Sequence, residues 1–262
     1  MCTLAIYHRH LPGLPVVVAA NRDEFLSRPA RGPMLLRKQP RIIGGRDEVA
    51  GGSWLTLSRG GFVVGVLNRR TQEPSDPART SRGALCLELA ALGDAEDAAG
   101  YLAETPPGQH NPFNILVADR EAAFVAQNRT SRTVVQRLSP GLHVLTNLDL
   151  DDHTCSRISH SWQHFERAGE AYIRNRDRST LLSRLRCILA DHRTAVDDRL
   201  PTDQLCIHTE GYGTRSSSML LLTENEEEQY FHAAGPPCRT PYRRVDLDGF
   251  RHSLDRIESA FE

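Results

Sequence analysis

The chain has 262 residues, 39% of them hydrophobic and 25% charged, with a formal net charge of −1. That composition supports a sizeable core and carries no global electrostatic signal for nucleic acid. No run of 18 apolar residues occurs, so no membrane span is expected, and no basic segment followed by a long apolar stretch marks a secretory leader.

Met1-Cys2-Thr3-Leu4-Ala5-Ile6-Tyr7 and Val16-Val17-Val18-Ala19-Ala20 read as two apolar strands turning through Pro12-Gly13. Adjacent antiparallel strands lie about 4.8 Å apart. A strand leaving Cys2 and one returning to Asn21 therefore bring the thiol close to Arg22 and Asp23. Those are the parts of an activated thiol: a sulfur, a cation that favours thiolate, and a carboxylate that can orient an amine. A small residue after the initiator Met allows that Met to be removed. Cys2 would then carry its own α-amine, whose pKa of about 7.7–8.0 suits a general base. The alternative is that Cys2 is an ordinary small buried hydrophobe.

A Pro/Arg-rich loop is expected to about Pro40, then a short strand at Ile42-Ile43 and turns at Gly44-Gly45 and Gly51-Gly52. Ser53–Ser58 and Phe62–Leu67 form a hairpin through Gly60-Gly61, ending at Asn68. Arg69–Arg82 reads as a loop. Leu85, Leu89 and Leu92 mark one helix; Ala98, Tyr101 and Leu102 mark a second. Phe113–Ala118, Ala122–Ala126, Thr133–Val135 and Leu142–Thr146 predict a meander that ends at Asn147. Ile158, Trp162, Phe165 and Tyr172 make a helical stripe, and Leu181, Leu182, Leu185, Ile188 and Leu189 another. Strands return at Gln204–His208 and Met219–Leu222, with Tyr212–Ser218 between them. An acidic turn is expected at Glu226-Glu227-Glu228, and a closing amphipathic helix on Phe250, Leu254, Ile257 and Phe261.

The order is strands, two helices, strands, two helices, strands. Short links imply antiparallel sheets. Two sheets between two helical layers, a four-layer αββα sandwich of the α+β class, would bury every apolar face named. With no low-complexity linker and no repeat, one domain over residues 1–262 is the simpler expectation. Cys2, Cys86, Cys155, Cys187, Cys206 and Cys238 are scattered without a CxxC pair, and read as reduced thiols of a cytoplasmic protein with no metal site.

Met1-Cys2, Ala20-Asn21-Arg22-Asp23-Glu24, Gly51-Gly52-Ser53-Trp54, Asn111-Pro112-Phe113-Asn114 and Tyr212-Gly213-Thr214-Arg215-Ser216-Ser217 stand in one order along the chain. Together they resemble the NRDE family, that of transport and Golgi organisation protein 2. The resemblance implies an N-terminal nucleophile hydrolase fold. A more distant likeness, to the choloylglycine hydrolase and penicillin V acylase group, implies roles. Cys2 would be the nucleophile, and Asp23 would hold its α-amine. Asn68 (in Gly65-Val66-Leu67-Asn68) and Asn147 (in Leu145-Thr146-Asn147) would supply oxyanion donors, and Arg215 would sit near the thiolate. Those acylases carry Arg three residues before the Asp; this chain has Ala20 there, and its Arg22 adjoins Asp23. Asn21, Arg22 and Trp54 are the candidate binding residues.

The same residues admit plainer readings. Lone asparagines form turns, and Arg22–Asp23 and Arg215 could be ion pairs that tie loops. The expected function is hydrolysis of a non-peptide C–N amide bond through a thioester, without metal or cofactor. The alternative is a non-catalytic binding or trafficking protein for a hydrophobic ligand such as haem or an acyl-CoA, with Cys2 and His8 or His10 ligating iron; a redox-sensing thiol is a third reading. His160 and His164, spaced i,i+4 without the Glu of a zincin, read as a solvated helix face.

Overall fold

The computed structural model describes residues 2–72, 74–129, 132–193 and 201–250. In chain order the elements are β1 (Thr3–Leu11), β2 (Leu14–Phe25), β3 (Ala30–Arg37), β4 (Ile42–Asp47), β5 (Leu55–Ser58), β6 (Phe62–Asn68), α1 (Arg82–Ala90), α2 (Ala95–Glu104), β7 (Phe113–Ala118), β8 (Ala123–Arg129), β9 (Arg132–Arg137), β10 (Gly141–Leu145), α3 (Ser156–Asn175), α4 (Arg178–Leu189), β11 (Tyr212–Leu222), β12 (Glu228–Ala233) and β13 (Arg243–Arg244). The strands form two antiparallel sheets. One runs β10-β1-β2-β11-β12-β13, the other β3-β4-β5-β6-β7-β8-β9.

The two-residue period of a strand explains the layers. Along β1, Leu4 and Ile6 join Leu55, Leu57, Val63 and Leu116 in a core between the sheets. Ala5 and Tyr7, on the other face, pack with Ile158 and Phe165 of α3 and Leu185 of α4. The second sheet does the same: Val64, Phe113, Ile115 and Val117 meet Leu85, Leu89 and Leu102 of α1 and α2. Strands buried on both faces read as unbroken apolar runs, which is why the hairpin segments were legible. The result is the expected αββα sandwich. Among the described residues, no helix is long and apolar enough to cross a membrane.

Several expectations are corrected. The Pro/Arg-rich segment is not all loop, because Ala30–Arg37 forms β3 at a sheet edge. An edge tolerates Pro33, and the register there slips between Arg31 and Met34. Gln204–His208 is not a strand; only a His208–Gly213 bridge forms. Tyr212–Ser218 is instead the start of β11, and β12 begins within the expected acidic turn. The Leu142–Thr146 strand does not continue the meander: β10 joins the other sheet beside β1, with Leu4 opposite Leu145. Leu92 lies beyond α1 and is exposed, as is Tyr101. The closing helix falls, past Phe250, outside the described residues.

Candidate functional site

β1 is an interior strand of its sheet, between β10 at the edge and β2. Thr3 lies opposite Asn21, and Leu4 opposite Leu145. Extending those registers sets Cys2 between Asn147 and Arg22, with Ser216 of β11 opposite Arg22. Cys2 is half-buried and packs on the core between the sheets. Its Sγ is 3.8 Å from the Asp23 backbone oxygen. Burial pushes the Cys2 thiol up, and the nearby Arg22 offsets this only in part. The resting group is therefore a thiol, not the thiolate that a neighbouring cation suggested.

The alternation of β2 turns Asp23 to the opposite face, toward α3. Its Oδ1 accepts from Thr214 Oγ1 at 2.6 Å. Its Oδ2 is 3.7 Å from Arg157 Nη1, in a pair that is almost wholly buried. Oδ2 accepts no hydrogen bond among the described residues. Burial pushes the Asp23 carboxyl up, against the pull of Arg157 and the Thr214 hydroxyl. Arg157, in the first turn of α3, also donates to Thr3 Oγ1 and to the Thr202 carbonyl. Sequence reasoning missed this arginine, because nothing in α3 distinguishes it from the helix's other cations.

Arg22 lies over Trp54, its Cζ 4.3 Å from the ring centroid. Its Nη2 is 3.4 Å from Asp47 Oδ2, which Arg28 Nε also binds at 2.7 Å. Burial pushes the Asp47 carboxyl up, but Arg28 and the backbone N–H groups of Val49 and Ala50 outweigh it and the net shift is down. Gly45 leaves room for this stack, since a Cβ there would lie 2.1 Å from the Trp54 ring. Cys2, Arg22, Trp54 and Ser216 line a niche of about 20 Å³. Arg22, Trp54 and Ser216 also line a cavity of about 580 Å³, so the stacked pair stands between the two spaces. The larger cavity is lined by Arg22, Arg31, Arg215 and Arg239, with His208 and His232 and no acidic side chain among the described residues.

Of the remaining candidates, Asn147 lies beside Cys2 and the others stand apart from it. Arg215 is the extra residue of a bulge between Thr214 and Ser216. The bulge aims it into the larger cavity, away from the niche that holds Cys2. The cation lining that niche is Arg22. Asn147 is buried, and its carbonyl accepts from Arg70 N at 2.8 Å. Asn68 ends β6 as an exposed residue opposite Phe113. The Asn21 amide is committed to scaffolding: its Nδ2 donates to Leu189 O and Leu205 O, and its Oδ1 accepts from Ser217. His8 and His10 are corrected outright as partners of Cys2. His8 sits six residues along β1, about 20 Å away at 3.3 Å per residue. His160 is likewise no free surface residue, since its Nε2 is 3.2 Å from Asp191. Cys206 and Cys238, far apart in sequence, have their sulfurs 3.6 Å apart.

A family model described as Transport and Golgi organisation 2 matches residues 1–234. The Transport and Golgi organization protein 2 homolog of Bos taurus is 28% identical over 233 residues, covering 79% of this chain and 82% of that protein. The Mus musculus homolog is 26% identical over 235 residues, covering 80% and 83%. Among solved structures, penicillin V acylase from Agrobacterium tumefaciens superposes with a TM-score of 0.61 at 12% identity, covering 94% of this chain and 86% of that one. The Caenorhabditis elegans ortholog of N-acylethanolamine-hydrolyzing acid amidase gives 0.55 at 15% identity, covering 84% and 92%. At such identities these likenesses establish a shared fold, that of N-terminal nucleophile hydrolases.

Proposed function

The chain belongs to the transport and Golgi organisation 2 family, and from that premise we propose that it hydrolyses a non-peptide amide with Cys2 as an N-terminal nucleophile. The observation that carries this reading is the placement of Asp23 behind Cys2, with one buried carboxylate oxygen lacking a hydrogen bond. Beyond the Thr3–Asn21 pair, the Cys2 end of β1 runs toward Asp23 of β2. An α-amine exposed on Cys2 by removal of Met1 would point toward that oxygen and complete its bonding. The amine is also the base that a protonated thiol requires.

In the reaction, the α-amine takes the thiol proton and Sγ attacks the amide carbonyl, forming a C–S bond. Asn147, beside Cys2 in the extended β1–β10 register, is the better-placed oxyanion donor; Asn68, at the strand end, would complete the pair. Collapse of the tetrahedral adduct breaks the C–N bond, and the α-ammonium returns its proton to the leaving amine. Water then attacks the thioester, releasing a carboxylic acid and restoring the thiol. The larger cavity is within the usual size range of small-molecule sites. Its arginines, with no acidic side chain lining it among the described residues, favour a substrate that carries a carboxylate or phosphate. A niche of about 20 Å³ at Cys2 holds no substrate group until the Arg22–Trp54 stack shifts. Binding without chemistry is the second reading, and the same cationic cavity favours an anionic ligand of the acyl-CoA kind; iron ligation by Cys2 with His8 or His10 is not proposed.

The test is intact-mass analysis followed by incubation with a panel of anionic N-acyl amines. Loss of Met1, release of amine and a thioester adduct on Cys2 are expected, and Cys2→Ala should abolish turnover while retaining the fold. Turnover by the Cys2→Ala protein would sink the proposal, as would retention of Met1 in active material.

A further inference from the structure

His192, Cys206, His208 and Cys238 come together beside the larger cavity, which His208 lines, although no spacing in the sequence announces them. Each offers one nitrogen or sulfur, and the four atoms lie within 4.8 Å of one another. Cys206 Sγ and Cys238 Sγ are 3.6 Å apart. His208 Nε2 is 3.7 Å from Cys206 Sγ and 3.2 Å from Cys238 Sγ. Around a tetrahedral zinc ion, with bonds of about 2.3 Å to sulfur and 2.0–2.1 Å to nitrogen, two sulfurs stand about 3.8 Å apart and sulfur and nitrogen about 3.6 Å. These three separations are within about half an ångström of that arrangement. Two cysteines meeting for a disulfide would need their sulfurs at about 2.05 Å, and both are free thiols.

The orientation of His192 adds an independent constraint. Its Nδ1 is 2.9 Å from the Cys206 carbonyl oxygen. A carbonyl only accepts, so Nδ1 carries the proton and Nε2 keeps its lone pair. Donation from the second ring nitrogen to a carbonyl is the arrangement that orients metal-bound histidines. His192 and His208 rings lie 5.1 Å apart, each adjoining the sulfur pair. Burial falls from Cys206, which is buried, through His208 and Cys238 to His192, which is exposed, leaving an entry path on one side. The neighbouring trio of His160, His164 and Asp191 differs, because Arg193 already holds the Asp191 carboxylate at 2.8 Å.

We infer that His192, Cys206, His208 and Cys238 form a Cys2His2 site for a zinc-class divalent ion. Four protein ligands leave no open position, so the site is structural and not catalytic. Its place in the fold says what it holds. The ion would tie the segment after α4, the 206–208 segment and the loop after β12 into one knot. Ile207, between two ligands, donates its N–H to Thr214 Oγ1 and accepts from Thr214 N, both at 2.9 Å. Thr214 Oγ1 in turn donates to Asp23. The site thus braces the strand that positions the carboxylate behind Cys2.

The test uses the full-length, reduced protein and needs no activity assay. Elemental analysis should find one zinc per chain, and Co²⁺ titration should give the intense visible bands of tetrahedral coordination with thiolate charge transfer. Cys206→Ser with Cys238→Ser should lose the bound equivalent and the charge-transfer band; His192→Gln, at an exposed position, should weaken binding with the fold intact. Cys187→Ser, an exposed cysteine elsewhere, should bind like the parent. The inference is overturned if reduced parent protein takes up no metal, if its cobalt spectrum is octahedral, if the double-serine protein retains the full equivalent, or if mass mapping finds Cys206 and Cys238 joined as a disulfide in the protein as isolated.

Discussion

His232 is a buried imidazole in the wall of the larger cavity, its Nδ1 3.0 Å from the Ser218 hydroxyl. Burial holds it down at about 4, whereas a histidine in the unfolded chain titrates near 6.5. Between those values the unfolded state binds more protons, so stability rises with pH across the window. The full stability is present above about pH 6.5 and is eroded as pH falls toward 4, by about 3 kcal/mol for this residue. Urea unfolding over that range should show the loss, and His232→Gln should flatten it. An unchanged slope in the variant would assign the acid sensitivity elsewhere. At this scale the site was partly legible. Cys2, Arg22 and Asp23 converge because a hairpin register is enough to join them, and that register follows from apolar runs. Arg157 depends on how α3 packs over the sheet, and the aim of Arg215 depends on a one-residue bulge. Neither leaves a mark on composition or period.

At the scale of elements, glycine pairs read from sequence as turns have a second role. Gly45 lies within β4, where a Cβ would overlap the Trp54 ring at 2.1 Å. Trp54 in turn carries the Arg22 guanidinium, so a β4 backbone position controls the partition beside Cys2. Gly45→Ala should displace the indole and release the stack, at an overpacking cost of about 1–3 kcal/mol. Tryptophan emission in the Gly45→Ala protein should change, against a Trp54→Phe background that reports Trp162 alone and does not change. A crystal structure of the variant with the ring unmoved would refute the argument. The strand misread as loop, β3, fails the usual signals because it lies at an edge and carries Pro33 and two arginines, Arg31 and Arg37. The opposite error, a strand expected at Gln204–His208, took an apolar triplet for a sheet element. Leu205, Cys206 and Ile207 are buried there beneath α4 and beside β11 without joining a ladder.

At the scale of the molecule, layer order was legible and sheet membership was not. Apolar stripes on paired helices and unbroken strand runs require two helical layers outside two sheets. They say nothing about where the chain crosses. β10 leaves the run of neighbouring strands and pairs with β1, and this crossing is what brings Asn147 to Cys2. The same crossings bear on how the chain unfolds. Leu4, Ile6 and Leu220 of one sheet share a core with Leu55, Leu57 and Leu116 of the other. Neither sheet can separate without exposing that face to water, which opposes any half-folded state. We therefore propose that the molecule is one domain and unfolds as one unit. Trp54 reports on the sheet interface and Trp162 on α3, two layers apart, and they are the protein's only tryptophans. Trp54→Phe and Trp162→Phe proteins, each followed by its remaining tryptophan in urea, should each show the midpoint and slope found by circular dichroism on the same variant. A tryptophan midpoint that departs from the circular dichroism midpoint of its own variant would divide the molecule into layers that fold apart, and would move the origin of the Cys2 site from a shared core to a docking of two halves.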